Sequence, residues 1–193
     1  MVQHEKMTDK KLRTHDVTLR GPRVVLRPMT EGDWDLLHRW GSDPEVLWLS
    51  EGDDVASYTR EEVQGIYRHV SQQAFCFIIE VNGEAIGECW LQEMNLERIL
   101  LRFPEKDSRR IDLTIGEKDV WGQGYGTETI GLLTEFGFQR ERADYILGCG
   151  IADYNPRSLK AFMNNGYSID VKVELPAGNK AKYEQDVMIS RQE

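Results

Sequence analysis

Apolar and polar positions alternate through "DVTLRGPRVVLRPM", residues 16–29, and predict one or two short strands around a Gly21-Pro22 turn. The period then changes. Thr30-Glu31-Gly32-Asp33 resembles a capping box, Trp34, Leu37 and Trp40 follow at helical spacing, and Gly41 ends that helix. Ser50 to Tyr58 reads as an acidic loop. Thr59-Arg60-Glu61-Glu62 is a cleaner capping box, and Val63, Ile66, Tyr67 and Val70 form the stripe of an amphipathic helix. Ala74 to Val81 is a continuous apolar run, as in a buried strand. Asn82-Gly83 then supplies the two positive-φ positions of a tight hairpin turn into the strand "EAIGECWLQEM".

The second half has fewer clear periods. "NLERILLRFPEKDSRR" is ambiguous, and Pro104 with its charged neighbours favours a loop. A strand from Ile111 to Ile115 enters a glycine-rich loop, and a helix is expected from Thr127 to about Arg140. Tyr145 to Ile151 reads as a strand. "YNPRSLKAFMNNGY" reads as a short helix, with Asn155 as N-cap, Pro156 at its first position and Gly166 at the left-handed C-terminal position. "YSIDVKVEL" and "AKYEQDVMIS" flank a turn at Pro176 to Asn179 and look like a closing hairpin.

Composition narrows the class. A chain of 193 residues fits one domain, expected at residues 17–193 after a flexible tail at 1–16. No apolar run approaches the roughly 20 residues needed to span a bilayer, and the charged N-terminus lacks the apolar stretch of a secretory signal. Three widely spaced cysteines, Cys76, Cys89 and Cys149, suggest neither a zinc site nor a disulfide framework, so a reduced, cytoplasmic protein without a metal is expected. The net charge of −9 disfavours nucleic acid as a partner and favours a cationic substrate, although many cytoplasmic proteins are simply acidic.

The glycine loop carries the first chemistry. Gly122, Gly124 and Gly126 form G-x-G-x-G, not the G-x-G-x-x-G of a dinucleotide fold, and the G-K-[ST] of a Walker loop is absent. A compact loop of small residues opening a helix can converge its N–H groups on an anion. A glycine-rich turn without a ligand is the alternative.

The order of elements and the Trp121 to Gly126 loop resemble the Gcn5-related N-acetyltransferase (GNAT) superfamily, whose Q/R-x-x-G-x-G/A motif binds the pyrophosphate of acetyl-coenzyme A. Gly124 and Gly126 match its small positions, and Trp121 stands where Gln or Arg is usual. The W-G-x-G-Y-G/A-T-E form resembles the branch with ribosomal-protein N-terminal acetyltransferases. "NPRSLKAFMNNGY" is similar to the family's N-x-x-[AS]-x-x-x-[YF]-x-x-x-G-[FY] segment, which lines the pantetheine arm. The resemblance covers roughly Thr18 to Ser190. It implies a mixed α/β (α+β) fold: a central sheet of about six to seven strands with a splayed parallel pair, flanked by about four helices. The strands at 111–115 and 145–151 would be the two lips of the wedge that admits acetyl-coenzyme A. Leu113, Thr114 and Ile115 would then meet the pantetheine amides, Trp121, Gly122, Gln123, Gly124, Tyr125, Gly126 and Thr127 the pyrophosphate, and Asn155, Ser158 and Phe162 the pantetheine arm.

For the chemistry, "RRIDLTIG" resembles the segment of aminoglycoside 6′-N-acetyltransferases in which an Asp contacts the accepting amine. Asp112 is therefore the expected catalytic carboxylate, with a strand-edge ion pair to Arg109 or Arg110 as its structural alternative. Glu88 is a second carboxylate candidate for the substrate site, unless strand alternation aims it at solvent. Trp48 and Trp90 are candidates to flank a sugar ring, or are core residues. Two positions depart from the resistance enzymes: Gly150 where an Asp is common, and Phe162 where many family members carry the Tyr that protonates the leaving thiolate. Cys149 reads as a small buried hydrophobe, not a nucleophile. The expected activity is direct acetyl transfer to a primary amine of a cationic, aminoglycoside-like small molecule. A protein N-terminal acetyltransferase and a non-catalytic acetyl-coenzyme A-binding module are the alternatives. Members of this family often dimerise, and no single stretch here demands it.

Overall fold

The computed structural model describes residues 10–51 and 55–192. The expected tail thus lies outside them for residues 1–9, and the acidic loop for 52–54. Within residues 10–16 of that tail, several residues are tied to the body of the fold. Leu12 is buried, the Arg13 backbone N–H donates to Ser71 Oγ at 3.0 Å, and His15 Nε2 lies 2.9 Å from the Cys76 carbonyl.

Eight strands form one sheet: β1 (Leu19–Arg20), β2 (Val24–Pro28), β3 (Ala74–Val81), β4 (Glu84–Glu93), β5 (Ser108–Ile115), β6 (Tyr145–Ala152), β7 (Ser168–Glu174) and β8 (Tyr183–Ser190). Their spatial order is β1-β2-β3-β4-β5-β6-β8-β7. Six α-helices flank it: α1 (Trp34–Gly41), α2 (Pro44–Ser50), α3 (Arg60–Val70), α4 (Glu97–Leu100), α5 (Tyr125–Gln139) and α6 (Pro156–Met163). The sheet is therefore wider than expected, because the two-residue β1 pairs with β2 as a strand of its own. Two helices exceed the expected four. α2 is nucleated by Asp43, whose carboxylate accepts from the Glu45 and Val46 N–H groups, with Pro44 at the first turn. α4 is a single turn inside the segment expected to be a loop, and the Ile99 side chain it buries is what the charged neighbours disguised.

The local signals act as their chemistry dictates. Thr30 and Thr59 both close capping boxes, with Asp33 and Glu62 as their reciprocal partners. Asn82 and Gly83 take φ of 54° and 83° at the hairpin turn. One face of the sheet buries Leu26, Phe77, Ile79, Leu91, Ile111 and Ile146 against Ile130, Leu133 and Phe136 of α5. Each such fully buried side chain contributes about 1.5–3 kcal/mol. The other face packs Cys76 and Ile78 against Trp34, Leu37 and Trp40 of α1 and Val63 of α3.

β5 and β6 are the parallel pair, and their pairing is short. Ser108, Arg109 and Arg110 pair with Tyr145, Ile146 and Leu147, and beyond those residues the strands part. A bulge in β6 helps drive them apart. The register against β8 shifts between Gly148 and Ile151, and Gly150 adopts φ +68°. Its N–H donates at 2.9 Å to the buried Asp186 carboxylate, which Arg98 of α4 also holds.

Candidate active site

The wedge between the parted strands is a groove of about 440 Å³. β5 supplies Leu113, Thr114 and Ile115 to its lining, and α6 with its N-cap supplies Asn155, Ser158 and Ala161. Leu113 to Ile115 are paired to β4 on one side only, so their other edge faces the groove with backbone groups unclaimed by β6. The loop residues Trp121, Gly122, Gly124, Tyr125, Gly126 and Thr127 line the same groove. Gly122 and Gly124 take φ of 77° and 87°, a conformation that L side chains rarely adopt. Gly124 is also the N-cap of α5, and no side chain caps that end, so its first N–H groups are left for an anion. Open space surrounds Gly122 where a Cβ would stand. These features fit a phosphate-bearing cofactor with an amide-containing arm.

Two expected cofactor residues lie elsewhere. Phe162 is buried in the core, where its ring fills the space a Cβ on Gly148 would take and packs edge-on to Tyr167 at 5.0 Å. The Gln123 side chain turns to the Asp119 carbonyl at 3.1 Å, outside the lining. Tyr167 is no substitute proton donor, because its buried hydroxyl pairs with Thr134 Oγ1 at 2.8 Å.

Other lining residues have no counterpart in the sequence reading. Val46, Leu49 and Ser50 of α2 form part of the wall, and Arg157 and Lys160 of α6 add positive charge to it. Arg157 stacks 4.8 Å over the Trp121 ring, whose Nε1 donates to the Ile115 carbonyl at 2.7 Å. Trp121 thus ties the loop to the end of β5 and shelves a guanidinium beside the glycine loop. The Asp43-Pro44 pair could have revealed α2, just as Asn155-Pro156 revealed α6. The stacking of Arg157 had no signal in the chain.

The carboxylates gather on the sheet face that carries α1 and α3. Glu88 faces Thr114, and Trp90 faces Asp112, across the β4–β5 pair. Their neighbours Cys89, Leu91, Ile111 and Leu113 point to the opposite, α5-covered core. Asp112 is clamped: Arg110 Nε and Nη2 donate to its two oxygens at 2.7 and 2.6 Å, and Trp90 Nε1 donates to Oδ2 at 3.0 Å. The ion-pair alternative for Asp112 is therefore met through Arg110, and Trp90 serves partly to hold the aspartate. Glu88 is buried, not aimed at solvent. Among the described residues no partner meets its Oε2 within hydrogen-bond geometry. Burial pushes the Glu88 carboxyl up to about 8; the Thr114 and Tyr67 hydroxyls offset part of this, while Asp112 and Glu51 add to it. Glu51, beyond the end of α2, is itself raised by burial, with Asp112 adding to the effect. Trp48 stands exposed on α2, 6.1 Å from the Tyr154 ring. The Cys149 thiol is pushed up to about 12, chiefly by burial, so no thiolate is available for covalent catalysis. Among the described residues no helix is long and apolar enough to cross a membrane, and no cluster of His, Cys, Asp and Glu could hold a metal ion.

Comparison with known proteins agrees with this geometry. Residues 23–168 match the family model described as an acetyltransferase (GNAT) domain. An uncharacterized N-acetyltransferase, p20, of Bacillus licheniformis is 30% identical over 127 residues, a match that spans 63% of this chain and 66% of that relative. The fold is shared with AAC(6′)-Ib in complex with ribostamycin and coenzyme A, at a TM-score of 0.69 and 24% identity, over 88% of this chain and 94% of that one. It is shared equally with the Vibrio cholerae spermidine N-acetyltransferase in complex with CoA and spermine, at 0.70 and 18% identity, over 88% and 96%. With a splayed strand pair, an anion-ready glycine loop and a family model spanning three quarters of its length, this chain belongs to the GNAT N-acetyltransferases, acyltransferases that draw on acetyl-coenzyme A.

Proposed function

We propose that this chain transfers acetyl from acetyl-coenzyme A to a primary amine of a cationic small molecule of the aminoglycoside kind. The convergence of Glu51, Glu88 and Asp112 beside the free edge of β5 carries this reading. Glu51 and Asp112 raise the proton affinity of Glu88, and Asp112, itself paired with Arg110, raises that of Glu51, so the three carboxyl groups are suited to exchange a proton with an incoming ammonium. The ribostamycin and spermine named with the two structural neighbours are both small polycationic amines.

Glu88 suits the role of general base better than Asp112. A primary ammonium must lose a proton before its nitrogen can attack, and a base is most effective when it titrates near the working pH. Glu88 titrates near 8 and keeps an oxygen that no described residue meets within hydrogen-bond geometry. Asp112 has both oxygens engaged, so its part is to orient the ammonium and keep Glu88 high. The nitrogen then attacks the thioester carbonyl, forming the C–N bond as the C–S bond breaks, and the surplus proton on the new amide nitrogen passes to the departing thiolate. Backbone N–H groups on the free edge of β5 would steady the developing oxyanion. The bound cosubstrate supplies the activated acetyl group and the thiolate leaving group. No protein nucleophile is needed, in keeping with the high Cys149 thiol.

An amine-panel assay of thiol release tests this. Acetyl-coenzyme A is offered with aminoglycosides, linear polyamines, simple monoamines and N-terminal peptides. Turnover concentrated on the aminoglycosides is the expected result. Release with peptides alone would assign the chain to protein N-terminal acetylation, the activity that the tryptophan form of the loop resembles. Tight coenzyme A binding with no release from any amine would make it a non-catalytic binding module.

A further inference from the structure

The exposed face of Trp48 is covered by a cation from the chain itself. The indole is 59% exposed, and the Tyr154 ring lies 6.1 Å from it at a 36° tilt. Lys180 Nζ sits 3.7 Å from the Trp48 ring centroid and 4.2 Å from that of Tyr154. Two aromatic rings on one ammonium is an arrangement by which ring quadrupoles hold alkylammonium groups.

The three residues come from separate elements: Trp48 from the last turn of α2, Tyr154 from the β6–α6 turn, and Lys180 from the loop between β7 and β8. These elements are laced together through the free carbonyls at the C-terminal end of α2. Lys180 Nζ donates to the Trp48 carbonyl, Asn155 Nδ2 to that of Leu49 at 3.1 Å, and the Tyr154 hydroxyl to that of Glu51 at 3.2 Å. The aromatic pair is thus adjacent to the carboxylate cluster, because the Glu51 that Tyr154 holds is the same residue whose carboxyl senses Asp112.

We propose that Trp48 and Tyr154 form an ammonium-binding subsite of the acceptor site, and that Lys180 is its resident occupant. A second ammonium of a small polycationic acceptor displaces it. The proposal rests on the reading of the acceptor as a cationic small molecule and adds a rule for choosing among such molecules. Exchange of one ammonium for another leaves the cation–π energy nearly unchanged, so a lone cation gains little. An acceptor that carries a second ammonium at the acetylation position gains from the tether, because its second binding event is intramolecular. The subsite therefore selects by the number and spacing of ammonium groups.

The test is an equilibrium titration of coenzyme A-saturated protein, followed by protein NMR shifts, with spermine and with tetramethylammonium, which cannot accept an acetyl group. Lys180→Met vacates the subsite and should bind both probes about two- to thirty-fold more tightly, the range spanned by a cation–π contact. Lys180→Gln, which keeps a polar tip for the Trp48 carbonyl, should show the same gain with the end of α2 still capped. Lys180→Arg restores an occupant and should return binding to that of the parent chain. Adding Trp48→Leu to Lys180→Met should erase the gain. Unchanged affinity in both Lys180→Met and Lys180→Gln, or a gain that survives the loss of Trp48, overturns the proposal. Tetramethylammonium binding requires no acetyl transfer, so these outcomes stand apart from whichever acceptor the amine panel identifies.

Discussion

The cofactor groove and the proposed acceptor region are built from different material. In the groove the groups offered to a cofactor are mostly backbone: the free edge of β5 from Leu113 to Ile115, the loop held open by Gly122 and Gly124, and the uncapped start of α5. In the proposed acceptor region the groups are side chains from α3, β4, β5 and the residue after α2, namely Tyr67, Glu88, Trp90, Asp112 and Glu51, which stand outside the groove's own lining. Backbone recognition depends on local conformation and suits a ligand that never changes. Side-chain recognition depends on which elements become neighbours, and it can be retuned to a new acceptor while the cofactor groove stays as it is. Damage in one region should accordingly appear in a different kinetic constant from damage in the other.

The largest expected effect is in the acceptor region. Glu88→Gln should lower kcat by about 10²–10⁴-fold, the range of a lost general base, with the KM for acetyl-coenzyme A nearly unchanged. It should also remove the rise of activity with pH that centres near 8 in the parent chain. The same residue gives a stability test. Folded Glu88 keeps its proton up to about pH 8, whereas an unfolded carboxyl loses it near 4.5. Its contribution to stability is therefore complete below about 4.5 and is lost as pH rises through about 8. Thermal melts of the parent chain should fall across that window, and those of Glu88→Gln should be flatter.

Asp112→Ala comes next. It leaves the Arg110 guanidinium unpaired where a cation must approach, so the KM for the amine should rise about 10- to 100-fold, an effect of about 1–3 kcal/mol. The pH limb should move down in the same variant, because Asp112 is one of the charges that raise Glu88. A changed acetyl-coenzyme A KM with an unchanged amine KM would break the division between the two regions.

In the cofactor groove, Gly124→Val places a β-branched residue at φ +87° and sets its Cβ 3.4 Å from the Arg23 guanidinium. Left-handed strain of about 1–2 kcal/mol in the bound loop predicts roughly a tenfold rise in the KM for acetyl-coenzyme A. The smallest effect belongs to Arg157→Gln, expected to raise that KM about threefold and to flatten its salt dependence without altering saturated turnover. An Arg157→Gln variant whose turnover at saturating acetyl-coenzyme A collapses would mean that the guanidinium acts on the acceptor instead.

How much of this was readable from the chain follows the same line. The capping boxes at Thr30 and Thr59, the Asn82-Gly83 turn and the Asn155-Pro156 helix start are contacts within a few residues, and all formed as expected. The burial of Phe162 is not legible in the chain, because a motif position says nothing about which side of a helix faces a groove, and Gly148 opposite leaves the space that its ring fills. Glu88 was left open because strand alternation offers two faces, and only the packing of α1 and α3 decides which one is closed to water.

The sequence by itself determined the family, the order of elements and the anion loop, since those rest on spacing and on backbone preferences that act over a few residues. The division of labour proposed between Asp112 and Glu88 rests on the tertiary structure. That division depends on an Arg110 two residues away along one strand, a Trp90 across the sheet, and a buried position whose low polarity holds a carboxyl neutral to about pH 8. Desolvation is a property of everything packed around a group, and no stretch of chain carries it alone.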